Sequence, residues 1–267
     1  MRLKNIMLIS LSTLLITGCS QMYSLLDKVP FLSKENQDQI TNVPSSPGQE
    51  NDLLSLESIF FNEVKQVDGK NIIQNSTNTM ALVNKEFYLP EDYVPEDLVR
   101  PEVPFSFGDV ENDKSLMRKE AASALEKMFA EAEKAGIELF AVSGYRSYER
   151  QKILFDAETS RVGIEQAMQV VAIPGSSEHQ SGLAMDISSR AVALNLVEGF
   201  ADTDEGKWLA ENAHRFGFIL RYPKGKEQIT NYIFEPWHFR YVGNKAAQII
   251  HEYNWTLEEY FNEVKKI

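Results

Sequence analysis

Two short polar clusters in the C-terminal half of the chain constrain its fold more than any other feature. The first contains His179 and Asp186, and the second contains Glu235 and His238. A catalytic metal site needs three protein ligands, an open position for water and a nearby carboxylate that accepts a proton. A fold that uses both clusters must therefore bring two distant segments of the chain to one point.

The residue types of these clusters predict a zinc site. A single His near an Asp is common in chains that bind no metal, so either cluster alone is weak evidence. The chain has only four His, however, and two of them lie in clusters that also carry a carboxylate. We therefore predict that His179, Asp186 and His238 bind Zn²⁺ and that Glu235 is the general base.

Residues 1–18 have the pattern of a bacterial lipoprotein signal peptide. Arg2 and Lys4 form a basic region, and residues 6–16 form an apolar run that is short for a membrane span. The segment ends at Cys19, the only Cys in the chain, in a sequence that resembles a lipobox. We predict a lipidated Cys19 as the mature N-terminus, with a buried free thiol as the alternative.

The charge of the chain limits its partners. The net charge is −12, and it becomes more negative when the basic signal peptide is removed. An acidic chain is not held to nucleic acid or to anionic lipid by its charge, so we expect no nucleic-acid partner. Two acyl chains on one Cys satisfy the requirement for stable attachment. The expected location is the extracytoplasmic face of the bacterial cell membrane.

The remaining chain divides into three parts. Residues 19–52 are rich in Ser, Asn, Gln and Pro, which is typical of a flexible tether with an end-to-end distance of about 30 Å. A poorly packed subdomain is the alternative. In residues 53–79, the Asp68-Gly69 pair between apolar residues predicts a hairpin extension. Residues 80–267 have the size of one globular domain, which we expect to be a monomer.

Periodicity indicates an α+β domain with a small antiparallel sheet flanked by helices. Two helices are predicted from apolar spacing, at residues 112–135 and 148–159. Two more are predicted to start at capping boxes, one formed by Asp202 and Glu205 and one by Thr256 and Glu259. Strands are predicted at 137–143, 218–222 and 232–241. His214 and His251 lie in helix-like stretches and are expected to be ordinary packed or surface residues.

The predicted strands also place the candidate ligands. Asp186 lies on the polar side of an alternating segment, and Gly182 gives the preceding loop the freedom to bring His179 close to it. In a regular strand Glu235 and His238 point to opposite faces, so we predict a local irregularity between them. Trp237, in the same segment, is expected to pack in the core.

Several motifs of the chain resemble the VanY-type D-alanyl-D-alanine carboxypeptidases and their L,D-carboxypeptidase relatives. The motifs are Ser143–Ser147, Gln151, Pro174–Asp186, Gly217–Pro223 and Glu235–Gly243. The resemblance implies the α+β zinc peptidase fold shared with lysostaphin-type and hedgehog-type domains. It also implies the same zinc ligands and base, Arg146 as a partner of the substrate, and Gln151 and Ser177 as contacts of the terminal residue of the peptide.

The expected activity is removal of C-terminal D-alanine from peptidoglycan stem peptides by a lipid-anchored zinc carboxypeptidase. The guanidinium of Arg146, near the end of a predicted strand, suits the terminal carboxylate of such a substrate. Two alternatives stay open: an endopeptidase that cuts cross-bridges, and a non-catalytic lipoprotein that binds the cell wall. Preference for D,D or L,D substrates is also open.

Overall fold

The computed structural model describes residues 54–267 of the chain. The predicted signal peptide, Cys19 and the tether at residues 19–52 lie outside the described residues. The described part mixes helices with short strands, which confirms the α+β class. None of its helices is both long enough and apolar enough to cross a membrane.

The elements of the described residues are as follows. The strands are β1 (Ser55–Leu56), β2 (Val64–Val67), β3 (Lys70–Ile73), β4 (Phe87–Tyr88), β5 (Leu98–Val99), β6 (Met117–Arg118), β7 (Phe140–Ser143), β8 (Ala184–Ser188), β9 (Phe218–Leu220), β10 (His238–Tyr241) and β11 (Lys265–Lys266). The α-helices are α1 (Lys119–Lys134), α2 (Tyr148–Val162), α3 (Ile164–Val170), α4 (Asp204–Asn212), α5 (Glu227–Thr230), α6 (Asn244–Tyr253) and α7 (Leu257–Glu263).

A four-stranded antiparallel sheet carries the centre of the fold. Its strand order is β7-β8-β10-β9, so β8 and β10 are the two inner strands. Every residue of these two strands is buried. One face of the sheet packs against α1, where Leu125 and Met128 join Met185 and Phe239 in the main apolar core. The sheet is therefore a rigid support for the side chains on its other face.

Helix α1 is shorter than the sequence predicts. It begins at Lys119, whereas apolar periodicity predicts a start near residue 112. Met117–Arg118 instead form β6, which pairs with β5, and the Arg118 N–H donates to the carbonyl oxygen of Gly182. These pairings with distant backbone satisfy the amide groups and outweigh the local preference for helix. The predicted C-terminal stop at Gly136 is correct, because its φ is +77°.

Strands β9 and β10 pair as predicted, but each is shorter than the strand predicted from the sequence. β9 and β10 are antiparallel, with Phe239 opposite Leu220. The chain between them contains the short helix α5, where the sequence predicts only a turn followed by a long strand. Residues before His238 therefore leave the sheet, which matters for the site described below.

The two predicted capping boxes have different outcomes. Thr256 and Glu259 form a complete box at the start of α7. The box predicted for Asp202 and Glu205 is wrong, because Thr203 is the cap of α4 and its Oγ1 accepts from the Gly206 N–H at 3.0 Å. Asp202 instead ends a 3₁₀ turn one residue before the cap.

A hairpin precedes the main sheet in the chain. β2 and β3 pair antiparallel across Asp68 and Gly69, whose φ angles of +49° and +77° are both left-handed. This is the turn that an Asp-Gly pair favours. β3 then pairs in parallel with β4, and β1 pairs in parallel with β11. The described residues form one compact unit.

Candidate active site

His179 and Asp186 meet because a tight turn leads directly into β8. His179 lies in a 3₁₀ turn over Glu178–Ser181, which ends at Gly182 with a φ of +68°. Its Nε2 is 3.3 Å from Oδ2 of Asp186, and its Nδ1 is 2.7 Å from the carbonyl oxygen of Gly144. A Cβ on Gly144 would overlap the carbonyl oxygen of Leu116, so only glycine lets the backbone at residue 144 pass this close to Leu116.

His238 joins this pair from the neighbouring strand. The register of β8 and β10 places it directly opposite Asp186, and its Nδ1 is 3.0 Å from Oδ1 of Asp186. One ligand atom each from His179, Asp186 and His238 lie within 4.8 Å of one another, and all three residues are buried. The three predicted ligands are therefore brought together.

Glu235 reaches the same site through the irregularity that the sequence predicts. Pro236 and Trp237 form a turn before β10, in which the His238 N–H donates to the Glu235 carbonyl oxygen at 3.1 Å. The Glu235 N–H donates to the carbonyl oxygen of Tyr222. Because Glu235 stands outside the strand, its side chain and that of His238 face the same cavity.

The pKa of Glu235 suits a group that exchanges protons near neutral pH. Its carboxylate is half-buried, and burial is the main cause that raises its pKa to about 7. The neighbouring Asp186 also raises this pKa, whereas His238 and Arg146 lower it. A general base works best when its pKa lies near the working pH.

The His-Asp-His cluster attracts a cation. Burial opposes ionisation of Asp186, but His179 and His238 hold the pKa of that carboxyl well below its usual range. Burial also opposes protonation of His238, yet hydrogen bonds to Asp186 and Glu178 raise its pKa to about 9. A positive charge at this point is therefore stabilised by buried carboxylates.

The same residues fit a zinc ion. Two imidazoles and one carboxylate are a donor set that zinc prefers at catalytic sites. Ligand histidines usually donate their second ring N–H to a carbonyl or carboxylate oxygen. Nδ1 of His179 faces the Gly144 carbonyl oxygen, and Nε2 of His238 is 3.2 Å from Oε2 of Glu178. Each imidazole thus has one nitrogen held by an acceptor and one directed at the cluster.

A cavity of about 460 Å³ opens over the cluster. Its lining includes Arg146 and Ser177 together with the cluster and Glu235. Arg146 donates from one terminal nitrogen to Oε1 of Gln151 at 3.0 Å and from the other to Oγ of Ser143 at 3.2 Å. Gln151 is fully buried behind Arg146 and is not part of the cavity wall. Gln151 therefore accepts from the arginine and donates to the Ala172 carbonyl oxygen at 2.7 Å, whereas Ser177 faces the cavity.

The sequence interpretation missed several residues at the site. Glu178, Arg221 and Arg240 form a buried charged group beneath His238, and Tyr222 and Tyr232 line the cavity. The signal that could have identified the two arginines is their position: Arg240 lies in the buried strand β10, and Arg221 directly follows β9. Trp237 packs against the core as expected and also lines the cavity.

His214 and His251 are not part of this site. Their rings stack with centroids 3.7 Å apart, and neither residue lines the cavity that holds the cluster. His214 follows α4 and is half-buried, and His251 lies in the last turn of α6 and is exposed, so they are ordinary packed and surface residues, as the sequence indicates.

A buried His-Asp-His cluster beside a carboxylate of raised pKa, in an open cavity, is the arrangement that metal-dependent hydrolases use. Comparison with known proteins specifies the class further. The family profile described as VanY, D-alanyl-D-alanine carboxypeptidase, matches residues 114–244. A relative called putative carboxypeptidase YodJ, from Bacillus subtilis (strain 168), is 51% identical over 261 residues, covering 97% of this chain and 95% of the relative. The chain therefore belongs to the VanY family and is a carboxypeptidase.

Other relatives and solved structures agree with this assignment. A D-alanyl-D-alanine carboxypeptidase from Enterococcus faecium is 34% identical, over 70% of this chain and 58% of the relative. A structure of the LdcB LD-carboxypeptidase superimposes with a TM-score of 0.79 at 57% identity, covering 80% of this chain and 100% of that chain. A structure of the D,D-pentapeptidase VanY with Zn(II) has a TM-score of 0.57 at 34% identity, covering 69% of this chain and 99% of that one. The expected zinc peptidase fold is confirmed.

Proposed function

We propose that this chain is a zinc-dependent carboxypeptidase that removes C-terminal D-alanine from peptidoglycan stem peptides. The observation that carries the proposal is the convergence of His179, Asp186 and His238 with Glu235 and Arg146 in one cavity. Relatives described as D-alanyl-D-alanine and L,D-carboxypeptidases support the substrate class. A related structure that contains Zn(II) supports the choice of metal.

His179, Asp186 and His238 would hold the zinc ion. When bound there, zinc supplies a Lewis acid that acidifies water and polarises the scissile carbonyl. The chain contributes the orientation of each ligand, through the Gly144 carbonyl oxygen behind His179 and the Glu178 carboxylate behind His238.

Glu235 is the proposed general base and acid. Its carboxylate accepts one proton from the attacking water, so the hydroxide oxygen bonds to the carbonyl carbon of the last peptide bond. When the C–N bond breaks, Glu235 returns that proton to the leaving amine of D-alanine. One water is consumed: the shortened peptide gains a new terminal carboxylate, and the released D-alanine gains a free amine.

Arg146 is the proposed partner of the substrate's terminal carboxylate. A guanidinium offers parallel donors that match a carboxylate, and burial strengthens such a pair. Ser143 and Gln151 fix the direction of the guanidinium by accepting from its two terminal nitrogens. Ser177 is retained as a proposed contact of the terminal residue, because it faces the cavity.

The position of Arg146 favours a carboxypeptidase over an endopeptidase. An endopeptidase must leave room for chain on both sides of the scissile bond, whereas a cationic group beside the base selects a free chain end. A non-catalytic wall-binding protein has no need for a base of raised pKa beside three candidate ligands.

The test is product analysis by mass spectrometry on defined tripeptide, tetrapeptide and pentapeptide stems with the zinc-loaded protein. Release of free D-alanine from the tetrapeptide indicates L,D activity, and release from the pentapeptide indicates D,D activity. Cleavage only of cross-linked dimers, with no D-alanine released, would replace the proposal with an endopeptidase.

We also propose that the mature protein is anchored by lipid on Cys19 at the outer face of the cell membrane. The signal-like residues 1–18 and the single Cys support this proposal. The acidic tether and domain give no electrostatic attraction to anionic lipid, so the acyl chains would supply the attachment.

A further inference from the structure

A buried charged group lies directly beneath the cluster. Glu178, Arg221 and Arg240 have no exposed side-chain surface, and Glu178 is the residue immediately before His179. Buried ionised groups are costly unless they are paired and fully hydrogen-bonded. The contacts of this group therefore need an explanation beyond general stability.

The two carboxylate oxygens of Glu178 have different partners. Oε1 accepts from Nε of Arg221 at 2.8 Å and from a terminal nitrogen of Arg240 at 2.7 Å. Oε2 lies 3.2 Å from Nε2 of His238. The arginines thus anchor one oxygen and leave the other for the histidine.

The arginines are themselves fixed from outside the site. Arg221 makes a two-pronged ion pair with Glu258 at the start of α7, at 2.9 and 2.6 Å. Arg240 donates to the backbone carbonyl oxygens of Thr79 and Ala81. The position of the Glu178 carboxylate is therefore set by the C-terminal helix and by the segment before β4.

We propose that Glu178 is a positioning residue that holds the ring of His238 with a proton on Nε2 and with Nδ1 directed at the metal. This inference rests on the proposed zinc site. Because Oε2 accepts from Nε2–H, the lone pair of a neutral His238 lies on Nδ1, on the side of Asp186. His179 has the opposite arrangement, since its Nδ1 faces the Gly144 carbonyl oxygen and its Nε2 faces Asp186.

A Glu178→Gln substitution tests this role sharply. The amide keeps the size of the side chain but has one oxygen acceptor and one NH₂ donor. The two cationic arginines attract the amide oxygen, so the NH₂ group turns toward His238. A donor at that point requires an unprotonated Nε2 and moves the proton of the neutral ring to Nδ1, where it blocks the metal. The variant should therefore bind zinc about 10- to 100-fold more weakly.

The matched control is Glu258→Gln. Glu258 also pairs with buried Arg221 but makes no contact with a candidate ligand. Both variants should lower the melting temperature of the metal-free protein, because each removes a buried ion pair. Because Glu258→Gln leaves the Glu178 carboxylate in place, with Arg221 and Arg240 still able to donate to its Oε1, it should weaken zinc binding much less than Glu178→Gln in competition titrations of the full-length chain with a chelator.

Proton positions in the wild-type protein give a measurement that needs no variant. Long-range ¹H–¹⁵N spectra of the four histidines in the zinc-loaded chain should show His238 protonated at Nε2 and His179 protonated at Nδ1. A His238 ring protonated at Nδ1 overturns the inference, whether or not Glu178→Gln folds. Equal zinc affinity of wild type and Glu178→Gln also overturns it, whereas a wild-type chain that binds no zinc overturns the proposed metal site itself.

Discussion

Asp186 and His238 are direct partners in the antiparallel register of β8 and β10, with Nδ1 of the histidine 3.0 Å from Oδ1 of the aspartate. The geometry of the cluster is therefore tied to the register of the two inner strands of the sheet. A slip of one residue would turn one of these side chains into the apolar core beside Met185 or Phe239. The core packing that prevents the slip is thus also what holds the site together.

The first prediction concerns metal content. Purified protein should contain about one zinc per chain, lose activity with a chelator and regain it with added zinc, because ligand binding and folding are coupled at such sites. Zinc should also raise the melting temperature of the metal-free protein. His238→Ala should lose the metal, whereas His251→Ala, which alters a histidine outside the site, should keep it. Metal analysis and calorimetry check these outcomes, and retained zinc with full activity in His238→Ala would contradict the assignment.

The second prediction separates the base from the ligands. Glu235→Gln keeps the size of the side chain but cannot accept a proton, so turnover should fall by at least about 10²-fold. Zinc content and melting temperature should stay near wild type, because Glu235 is not a predicted ligand. Glu211→Gln, an exposed carboxylate on α4, is the control and should retain turnover. Release of D-alanine by Glu235→Gln at a near wild-type rate would disprove the mechanism.

The third prediction concerns recognition of the chain end. Arg146→Ala should raise KM for a substrate with a free C-terminal carboxylate and remove the preference over its C-terminal amide, because a two-pronged partner is lost. Gln151→Ala should have a smaller effect in the same direction, since Gln151 orients the guanidinium. Arg190→Ala, an exposed arginine paired with Glu138, is the control. If amidation of the substrate's C-terminus leaves the KM of the wild-type enzyme unchanged, the proposed role of Arg146 in binding the terminal carboxylate is wrong.

The fourth prediction concerns acid stability. Burial lowers the pKa of His214, and the adjacent His251 and Arg215 lower it further. The folded state therefore favours neutral His214, so this contribution to stability is present above the unfolded pKa of about 6.5 and is lost as the pH falls through the lower folded value. His214→Phe keeps a stacked ring without a charge.

Melting temperatures near pH 7 and near pH 5 provide the measurement. The loss of stability on acidification should be smaller for His214→Phe than for wild type. Tyr253→Phe changes another stacked ring on α6 without removing an imidazole and should leave the loss unchanged. An equal loss in His214→Phe and wild type would show that the stacked pair does not contribute to acid sensitivity.

The fifth prediction concerns anchoring. Cys19→Ala removes the proposed site of lipidation, and the chain should then move from the membrane fraction to the soluble fraction. Metabolic labelling with a fatty acid should mark the wild-type protein and not the variant. Catalytic activity on soluble stem peptides should be retained, because the site lies in the described domain. Unchanged membrane retention of the unlabelled variant would refute the lipobox interpretation.

The sequence predicted most of the local structure, since local structure depends on short-range physics. The Asp68-Gly69 turn, the stop of α1 at Gly136 and the capping box of Thr256 follow from backbone preferences of a few residues. The start of α1 was wrong because Arg118 pairs with the distant Gly182. Competition of that kind cannot be judged from neighbouring residues alone.

Some features of the site also followed from the sequence, whereas others depended on the tertiary structure. His179, Asp186, His238 and Glu235 were identifiable from the sequence because few residue types bind zinc or act as a base, and the irregularity before β10 followed from the alternation of side chains. The place of Gln151 behind Arg146, and the buried contact of Glu178 with His238, were decided only by the tertiary structure. The contact of Glu178 with His238 joins residues 60 positions apart, and Gln151 donates to the carbonyl oxygen of Ala172, 21 positions away. Neither follows from neighbouring residues, and the free energy of a buried charge is likewise set by its distant partners.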